Sequence, residues 1–489
     1  MTGAGEDRDG TAVRRDRFSG GPAREFLSSL AADRRIFAAD LAVDRAHVAM
    51  LAEQGIVEEE TAGEILAALD DVEASGHEGL PAGEDVHEAI ETAVIDRIGP
   101  DGGKMHTARS RNDEVATCIR YRLRSDLLDA IDATIALREA LCSTAADHTG
   151  TVMPGYTHLQ PAQPTTVGHY LLSYESAVAR DTARLLDAYD RTNRSPLGAA
   201  AFAGTPFEVD RDRTAALLGF DGIVRNSMDA ASARDFLAEA TGALATHAVT
   251  LSGLAEDLVL FSNRGFLELD DDYASTSSIM PQKKNPDTLE LVRGVAGDAV
   301  GAATATLSSL KGLPRAYNRD LQRVHPHAFD AVDAVVDATD VAGGAVATAS
   351  WDETALADAA GEGFSTATGV ADLLAMAGVP FRTAHEVVAT AAERFETDVS
   401  AANIDAVAEE VTGESLFAHV SREEVKAALD PAESVASRDS VGGPAEPEVT
   451  AAIATATEAI GDDEAAARER RDRIETARET LATEVATYV

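Results

Sequence analysis

Apolar residues recur at helical spacing along most of the chain. The spacing of three and four residues begins near Phe26 and continues after Asn112, and it predicts amphipathic helices. The two clearest faces consist of Phe236, Ala240, Leu244, Ala248, Leu251, Ala255 and Leu258, and of Leu289, Val292, Ala296, Ala299, Ala303, Leu307 and Leu310. Strand-like alternation is weak throughout, so the pattern predicts an all-α fold.

Glycine and proline clusters and changes of composition divide this helical pattern. They predict a disordered arm over 1–16, an N-terminal helical domain over 17–105, a central helix bundle over 106–350 and a C-terminal helical domain over 351–489. The proline-rich stretch 153–164 cannot be helical, which predicts an extended segment before a helix that starts near Thr165. Three glycines in a long helix predict close approach of neighbouring helices, and they are Gly294, Gly297 and Gly301.

The net charge of the chain indicates which partners to exclude and what salt concentration to expect. The chain carries 84 acidic and 42 basic residues, for a formal net charge of -42. A polyanionic surface repels nucleic acids and anionic membranes, so neither is expected as a partner. Because the acidic excess is spread along an alanine-rich, lysine-poor chain, we expect a halophilic protein whose charges are screened by molar salt.

The cysteines and the apolar runs indicate a cytoplasmic protein. Cys118 and Cys142 are the only cysteines, and both lie in helical apolar patterns, which favours reduced core residues. The polar N-terminus lacks the apolar segment of a secretory signal. No apolar run is long enough on this basis to predict a membrane span.

One stretch concentrates candidate chemistry, and it runs from Tyr273 to Glu290. It contains Lys283 and Lys284, although the chain has only five lysines in all. Asn285-Pro-Asp287 predicts a helix start capped by Asn285, and free N–H groups at such a start bind carboxylates or phosphates. Loop-forming serines, a capping asparagine and solvated lysines are the structural alternative for each residue taken singly.

The same stretch resembles a known family signature. Residues Ser277-Ser-Ile-Met-Pro-Gln-Lys-Lys-Asn-Pro286 are similar to Gly-Ser-Ser-x-Met-Pro-x-Lys-x-Asn-Pro of the fumarase/aspartase superfamily of lyases. Thr276 replaces the leading glycine of the signature. The resemblance implies an all-α fold with a long central helix bundle and makes Ser277 the counterpart of the reactive serine.

Other strings narrow the resemblance to the argininosuccinate lyase family. His106-Thr-Ala-Arg-Ser-Arg-Asn-Asp113 matches that family except at Ala108, and its helix start, with Asn112 as predicted cap, also suits a carboxylate. Gly155-Tyr-Thr-His-Leu-Gln-Pro-Ala-Gln-Pro164 matches without a departure. Ser232-Ala-Arg-Asp235 and Gly312-Leu-Pro-Arg-Ala-Tyr-Asn-Arg-Asp-Leu-Gln322 also resemble family elements.

The resemblance implies a reaction and an assembly. It implies reversible cleavage of argininosuccinate to arginine and fumarate, the last step of arginine biosynthesis, in a homotetramer whose sites combine three subunits. No cofactor or metal is implied. The expected catalytic residues are His158, Ser277, Lys283 and Glu290, with Ser277 as base and His158 oriented by Glu290. The expected substrate contacts are Ser29, Arg111, Asn112, Thr157, Arg234, Asn285, Tyr317 and Gln322.

Three positions leave alternatives open. The run from Glu84 to Glu91 is either a solvated helix face or a family element in which His87 supports the site. The family has a substrate-contacting lysine after the Gln322 motif, and either Arg323 or His325 replaces it here. His325 and His327 also have the spacing of a metal pair, although no third ligand is recognisable nearby.

Two rival functions share some of these features. A sister lyase acting on fumarate, aspartate or adenylosuccinate would keep the signature loop, but the strings around Arg111 and Tyr317 argue against it. A catalytically silent structural paralogue is the other rival. It is disfavoured because His158, Ser277, Lys283 and Glu290 are all present.

Overall fold

The computed structural model describes Val13 and residues 23–395 and 399–489, so the predicted arm over 1–16 lies, apart from Val13, outside the described residues. Its α-helices are α1 Ala23–Leu27, α2 Phe37–Glu53, α3 Glu59–Ser75, α4 Val86–Ile98, α5 Arg111–Asp147, α6 Val167–Thr192, α7 Arg211–Leu217, α8 Ser227–Ser232, α9 Asp235–Asn263, α10 Asp287–Leu310, α11 His325–Thr348, α12 Glu353–Ala360, α13 Ala367–Met376, α14 Phe381–Phe395, α15 Ala401–Thr412, α16 Arg422–Leu429, α17 Pro431–Ala436 and α18 Glu446–Val485. The strands are β1 Val152–Thr157, β2 Gln160–Thr166, β3 Leu267–Glu268, β4 Ser275–Thr276, β5 Lys284–Asn285 and β6 Ser350–Trp351.

Five long helices form the central bundle. Helix α5 packs on α6 and α11, and α9 packs on α10, α6 and α11. Their inward positions are leucine, alanine, valine and phenylalanine, which together form one continuous core. The predicted all-α fold with a long central bundle is therefore confirmed.

The five helices point in two opposite directions. The starts of α5, α9 and α11 lie together, because Asn112, Arg234 and His325 line one cavity. Their far ends also meet, since Trp351 follows α11 and contacts both His148, which ends α5, and Phe261 near the end of α9. Helices α6 and α10 begin at this second end. Three helix N-termini thus face the cavity, and two face the opposite end of the bundle.

The proline-rich stretch 153–164 is extended, as predicted, but it forms an antiparallel hairpin. Strands β1 and β2 pair from Val152 with Thr166 to Thr157 with Gln160. Thr166 then caps α6 by accepting a hydrogen bond from the N–H of His169. The pairing was not predicted, because prolines remove ladder donors and hide the strand pattern.

Two predicted helix caps are wrong by one or two residues. Ser110, and not Asn112, caps α5, in a capping box completed by Asp113. Helix α10 begins at Asp287 with Pro286 in the cap position, while Asn285 lies in β5 and pairs with Ser275. The α5 cap leaves the Asn112 side chain available for other contacts, whereas α10 starts without a side-chain cap.

Beyond the bundle, residues 370–425 form a second, smaller hydrophobic core. The long α18 does not join it but packs on α5 and α6. The domain boundaries given above stay a prediction. Cys118 and Cys142 are buried and free, as expected.

Helix α9 is long and apolar enough to cross a membrane by length and composition, contrary to the sequence expectation. It passes this test because it is a core helix rich in leucine and alanine. Half of the residues in its apolar window are buried, and its neighbours are α6, α10 and α11.

One face of α10 has no neighbour within the described chain. Leu291 is 70% exposed, and Val300 and Leu307 are also exposed. A side chain added at Gly294, Gly297 or Gly301 would meet nothing within 4 Å. The predicted close approach at these glycines is therefore not made by another helix of the same chain.

Candidate active site

A polar cavity of about 510 Å³ lies where α5, α9 and α11 begin. Helix N-termini carry partial positive charge, so three of them at one cavity favour an anionic ligand. Six of the predicted substrate contacts line this cavity. They are Ser29, Arg111, Asn112, Arg234, Tyr317 and Gln322.

The α5 start positions two of these side chains. Arg111 donates to Asp85 at 2.8 Å, and its Nη1 lies 3.5 Å from Glu88, so its guanidinium is held against α4. The amide of Asn112 donates to the carbonyl of Ala201 at 3.1 Å. The capping box fixes the backbone that carries both side chains.

Asp113 ties the loop after α6 to this helix start. Its Oδ1 accepts the N–H of Ser110 at 2.9 Å, and its Oδ2 accepts those of Gly198 and Ala200 at 2.9 and 2.8 Å. Ala200 has a φ of 53°, which such anchoring stabilises. Asp113 therefore positions the loop that in turn holds Asn112.

Arg234 is the cation of the cavity with no acidic partner within ion-pair distance in the described chain. Its Nη1 donates to the carbonyl of Ala233 at 2.9 Å. Burial lowers its pKa to about 10, which leaves it charged at neutral pH. Burial raises the pKa of Tyr317, so the tyrosine keeps its proton as a hydrogen-bond donor. An anionic substrate would supply the missing counter-charge of Arg234.

A network of buried charged side chains lies next to the cavity wall. Arg109 contacts Asp44 at 2.5 Å and Glu114 at 3.0 Å, and all three side chains are buried. His87 Nδ1 lies 2.8 Å from Asp40 Oδ2. Burial alone would lower the pKa of His87, but the neighbouring acids raise it to about 10, so His87 is a cation.

This network corrects the solvated interpretation of residues 84–91. Val86, His87, Glu88, Ala89 and Ile90 are buried. His87 lies in the cavity wall, which agrees with the alternative in which it supports the site. The polar run looked solvated because its charges are neutralised by residues distant in sequence.

The signature loop places Ser277 under two backbone donors. Its Oγ accepts the N–H of Met280 at 3.1 Å and that of Ile279 at 3.4 Å, while its own N–H donates to the carbonyl of Lys283 at 3.0 Å. N–H groups aimed at a hydroxyl oxygen favour its ionised form. The oxygen of Ser277 is thus directed toward two N–H groups of its own loop.

The two lysines of this loop diverge. Lys284 pairs with Glu268 at 3.2 Å and with Asp271 at 2.7 Å, outside the loop. Lys284 is therefore directed to acidic side chains before the loop and not to residues 275–280. Lys283 is exposed and remains the candidate cation of the loop.

Thr157 and His158 are exposed at the tip of the β1–β2 hairpin. His158 and Leu159 have φ values of 56° and 59°, the left-handed conformation of a tight turn. Glu290 is exposed in the first turn of α10, and within the described chain no hydrogen bond or ion pair joins it to His158. The expected pairing of these two residues is thus not made within the described part of the chain.

The predicted site residues fall into two groups at opposite ends of the bundle. The cavity group follows the starts of α5, α9 and α11, whereas Thr157 and His158 come after the end of α5, which is about 55 Å long at 1.5 Å per residue. Ser277, Lys283, Asn285 and Glu290 lie at the start of α10, and Tyr317 and Gln322 follow its end, about 36 Å away. The described chain therefore brings together six of the predicted residues and separates them from the other six.

The structure distinguishes the two candidates for the missing lysine. His325 is buried in the cavity wall, whereas Arg323 is exposed and is not part of that wall. Among the described residues, clusters with metal-ligand geometry involve Asp40 with His87 and Cys118, and Asp40 with Asp44 and Glu114. Neither includes His325 or His327.

Sequence reasoning missed four charged residues of the cavity wall, which are Asp33, Glu84, Asp85 and Arg319. Asp33 lies in the wall, and Arg319 forms an ion pair with Glu84 across it. Arg319 lies inside the quoted string 312–322 and Glu84 begins the polar run near His87. Both could have been found by treating every charged residue in these strings as a candidate.

Comparison with known proteins agrees with this architecture. The family model described as "Lyase" matches residues 23–301, and the model described as "Argininosuccinate lyase C-terminal" matches residues 364–436. A crystal structure of EDDS lyase in complex with formate is 37% identical, covers 96% of each chain and superposes with a TM-score of 0.86. A class II fumarase from Schistosoma mansoni is 16% identical, covers 82% of this chain and 90% of its own, and superposes with a TM-score of 0.70, which shows the shared fold.

The helix bundle and the family model define the class: a lyase of the fumarase/aspartase superfamily. Argininosuccinate lyase of Natronomonas pharaonis is 68% identical over all of this chain and 99% of its own, and that of Haloarcula marismortui is 64% identical over 100% and 98%. The chain belongs to the argininosuccinate lyase family.

Proposed function

We propose that this protein cleaves argininosuccinate to arginine and fumarate, and catalyses the reverse addition. The observation that carries the proposal is the convergence of six predicted substrate contacts on one cavity, in a chain 68% identical to a relative of that name. The cavity suits this substrate because Arg234 and three helix N-termini attract carboxylates, while acidic side chains line the same wall.

In this proposal Ser277 is the base. As an alkoxide it removes a proton from the succinyl carbon next to a carboxylate, and the electron pair passes into that carboxylate. Lys283 and Asn285 bind the resulting dianion, which is the species that needs stabilisation. The electron pair then forms the carbon–carbon double bond of fumarate as the C–N bond breaks. A proton returns to the guanidino nitrogen through His158 or a water that it holds.

We further propose a homotetramer whose sites are shared by three subunits. The supporting observation is the separation of the two groups of site residues by the length of the bundle. An antiparallel neighbour would bring the signature loop of one copy to the cavity of another. The exposed face of α10, with Leu291, Val300, Leu307 and its glycines, offers the surface for such a neighbour.

The expected environment is the cytoplasm of a cell with molar internal salt. Support comes from the net charge of -42 and from free, buried cysteines. At such ionic strength the Debye length falls to about 3 Å, so exposed carboxylates repel one another little.

The direct test is fumarate release, followed by ultraviolet absorbance, from argininosuccinate in 2–3 M KCl (roughly the molar range at which screening is strong). Adenylosuccinate, aspartate and malate are run in parallel. We expect turnover of argininosuccinate alone. Turnover of another substrate would assign a sister lyase, and a folded tetramer silent on all four would indicate a structural paralogue.

A further inference from the structure

Arg120 is a buried cation that the proposed reaction does not use. It lies on α5, about 12 Å beyond Asn112 along the helix axis, and it does not line the cavity. Its side chain is buried, and in the described chain no acidic side chain lies within ion-pair distance of its guanidinium. A buried charge without a counter-charge costs stability, so the place of Arg120 in the fold needs a reason.

The contacts of Arg120 join two other helices of the bundle. Its Nη1 donates to the carbonyls of Arg191 at 2.9 Å and Thr192 at 3.1 Å, the last two residues of α6. The plane of its guanidinium lies over the ring of Phe236, 3.8 Å from the centroid. Free carbonyls at a helix end carry partial negative charge, so they balance part of the charge of Arg120. The side chain thereby links the end of α6 to the second residue of α9.

The ring under Arg120 belongs to the helical turn that carries Arg234. Phe236 is buried in the main hydrophobic core and lies two residues after Arg234, the residue that precedes α9. The place of the ring therefore fixes the backbone from which Arg234 extends into the cavity wall. A shift of this turn would move the guanidinium of Arg234 relative to any bound carboxylate.

The two arginines also influence each other electrostatically. Burial and then the charge of Arg234 lower the pKa of Arg120 to about 10, while Asp235 and Asp229 oppose this change. Both arginines therefore stay charged at neutral pH. An anion bound at Arg234 would reduce the repulsion between them, so the pair favours a bound carboxylate more than Arg234 alone would.

We infer that Arg120 is a positioning residue for Arg234. By stacking on Phe236 and binding the end of α6, it holds the first turn of α9 in the place where Arg234 meets a carboxylate of the substrate. The inference rests on the proposed function, which supplies that carboxylate. If Arg120 only capped α6, its loss would lower stability and leave the KM for argininosuccinate unchanged.

Arg124 provides a matched control one turn further along α5. It is also buried, donates to the carbonyls of Leu218 and Gly219, and lies over the ring of Phe220 at 4.7 Å. None of these partners is on α9. Replacement of either arginine by methionine removes a buried guanidinium and its bonds to main-chain carbonyls, but only the change at Arg120 alters the support of α9.

The test compares steady-state kinetics and melting temperatures in molar KCl. Arg120→Met and Arg124→Met should both lower the melting temperature. Arg120→Met alone should raise the KM for argininosuccinate, by about 5-fold and with little change in kcat, since a cation–π contact behind a binding group is lost. Phe236→Leu removes the aromatic face, and Arg120→Lys keeps the charge without the flat guanidinium. Both are milder changes and should also raise KM.

A second measurement asks whether Arg120 acts through Arg234. Arg234→Lys keeps a cation at the cavity but changes its geometry. Arg120→Met should then raise KM less in the Arg234→Lys enzyme than in wild type, because the group that it positions is already altered. Calorimetric binding of fumarate follows the same four enzymes without turnover, and the dissociation constants should show the same coupling.

Equal increases of KM in Arg120→Met and Arg124→Met would overturn the inference. Independent effects of Arg120→Met and Arg234→Lys would do so too, as would an unchanged KM in Phe236→Leu and Arg120→Lys. Failure of the wild-type enzyme to cleave argininosuccinate would instead contradict the proposed function. The two failures are distinguishable because the first is a comparison among variants and the second is seen in wild type.

Discussion

The Nδ1 atom of His87 lies 2.8 Å from Oδ2 of Asp40, and both side chains are sealed from solvent. Removal of the histidine would leave the Asp40 carboxylate buried without its cationic partner. We expect His87→Ala to lower the free energy of unfolding by about 3 kcal/mol at pH 7. Denaturation in high KCl measures this loss.

The same pair predicts a pH dependence. Because the folded pKa of His87 is raised to about 10, its contribution is complete below the unfolded value of about 6.5 and is lost as the pH rises through 10. The difference in melting temperature between wild type and His87→Ala should therefore shrink between pH 7 and pH 10.5. His47→Gln is the control, since burial lowers the pKa of His47 to about 3 and no such trend is expected.

The adjacent residues Ser277 and Ser278 offer a matched test of the proposal that Ser277 is the base. Ser277→Ala should lower kcat by at least about 10²-fold, because it removes the group assigned to proton transfer. Ser278 is exposed, and the N–H groups of Ile279 and Met280 donate to Ser277 instead, so Ser278→Ala should change kcat much less. Full activity in Ser277→Ala would require another base.

Shared sites predict that two inactive variants can rescue each other. Ser277→Ala damages the signature loop, and Asn112→Ala damages the cavity group. If one site takes each group from a different subunit, random mixing should restore about a quarter of the wild-type activity. A mixture of Ser277→Ala with Lys283→Ala should restore none, because both changes affect the same loop.

Asp113 should affect substrate binding through the loop it anchors. Asp113→Ala leaves the N–H groups of Gly198 and Ala200 without an acceptor, and the expected loss of stability is about 1–3 kcal/mol. The KM for argininosuccinate should also rise, since Asn112 loses its fixed partner on Ala201. Ser421→Ala removes a helix cap in the smaller core and should lower stability without a change in KM.

The acidic excess predicts salt-dependent stability. We expect the melting temperature to rise steeply from 0.1 M KCl, where the Debye length is about 10 Å, into the molar range. Isosmotic sucrose should give a smaller rise, because it is excluded from the surface but does not screen charge. A melting temperature indifferent to KCl would contradict adaptation to salt.

Much of the fold could be predicted because the helices have regular apolar spacing. The 233–261 face became α9, and the 289–310 face became α10, within a few residues at each end. The caps were less predictable, since Ser110 and Asn112 are both good capping residues and only the geometry selects Ser110. The β1–β2 hairpin was hidden by its prolines.

Most of the candidate site residues come from short strings, but which of them the fold brings together could not be predicted from those strings. Arg111, Arg234 and Gln322 are far apart in sequence and meet because three parallel helices begin at one cavity. Asp33 lies in none of the strings, and its place in the cavity wall, 3.5 Å from His325, arises only from folding. Local sequence patterns do not show which distant residues meet in the folded chain.

The opposite directions of the bundle helices have a consequence for how activity depends on concentration. If the site is shared as proposed, a chain that holds the cavity at one end and Ser277 at the other cannot complete a site alone. Specific activity should therefore decline on dilution as neighbours dissociate, even while each helix stays folded. In a cell the rate would rise more than linearly with the number of copies at low expression, so the amount of protein would itself set the catalytic efficiency of each copy.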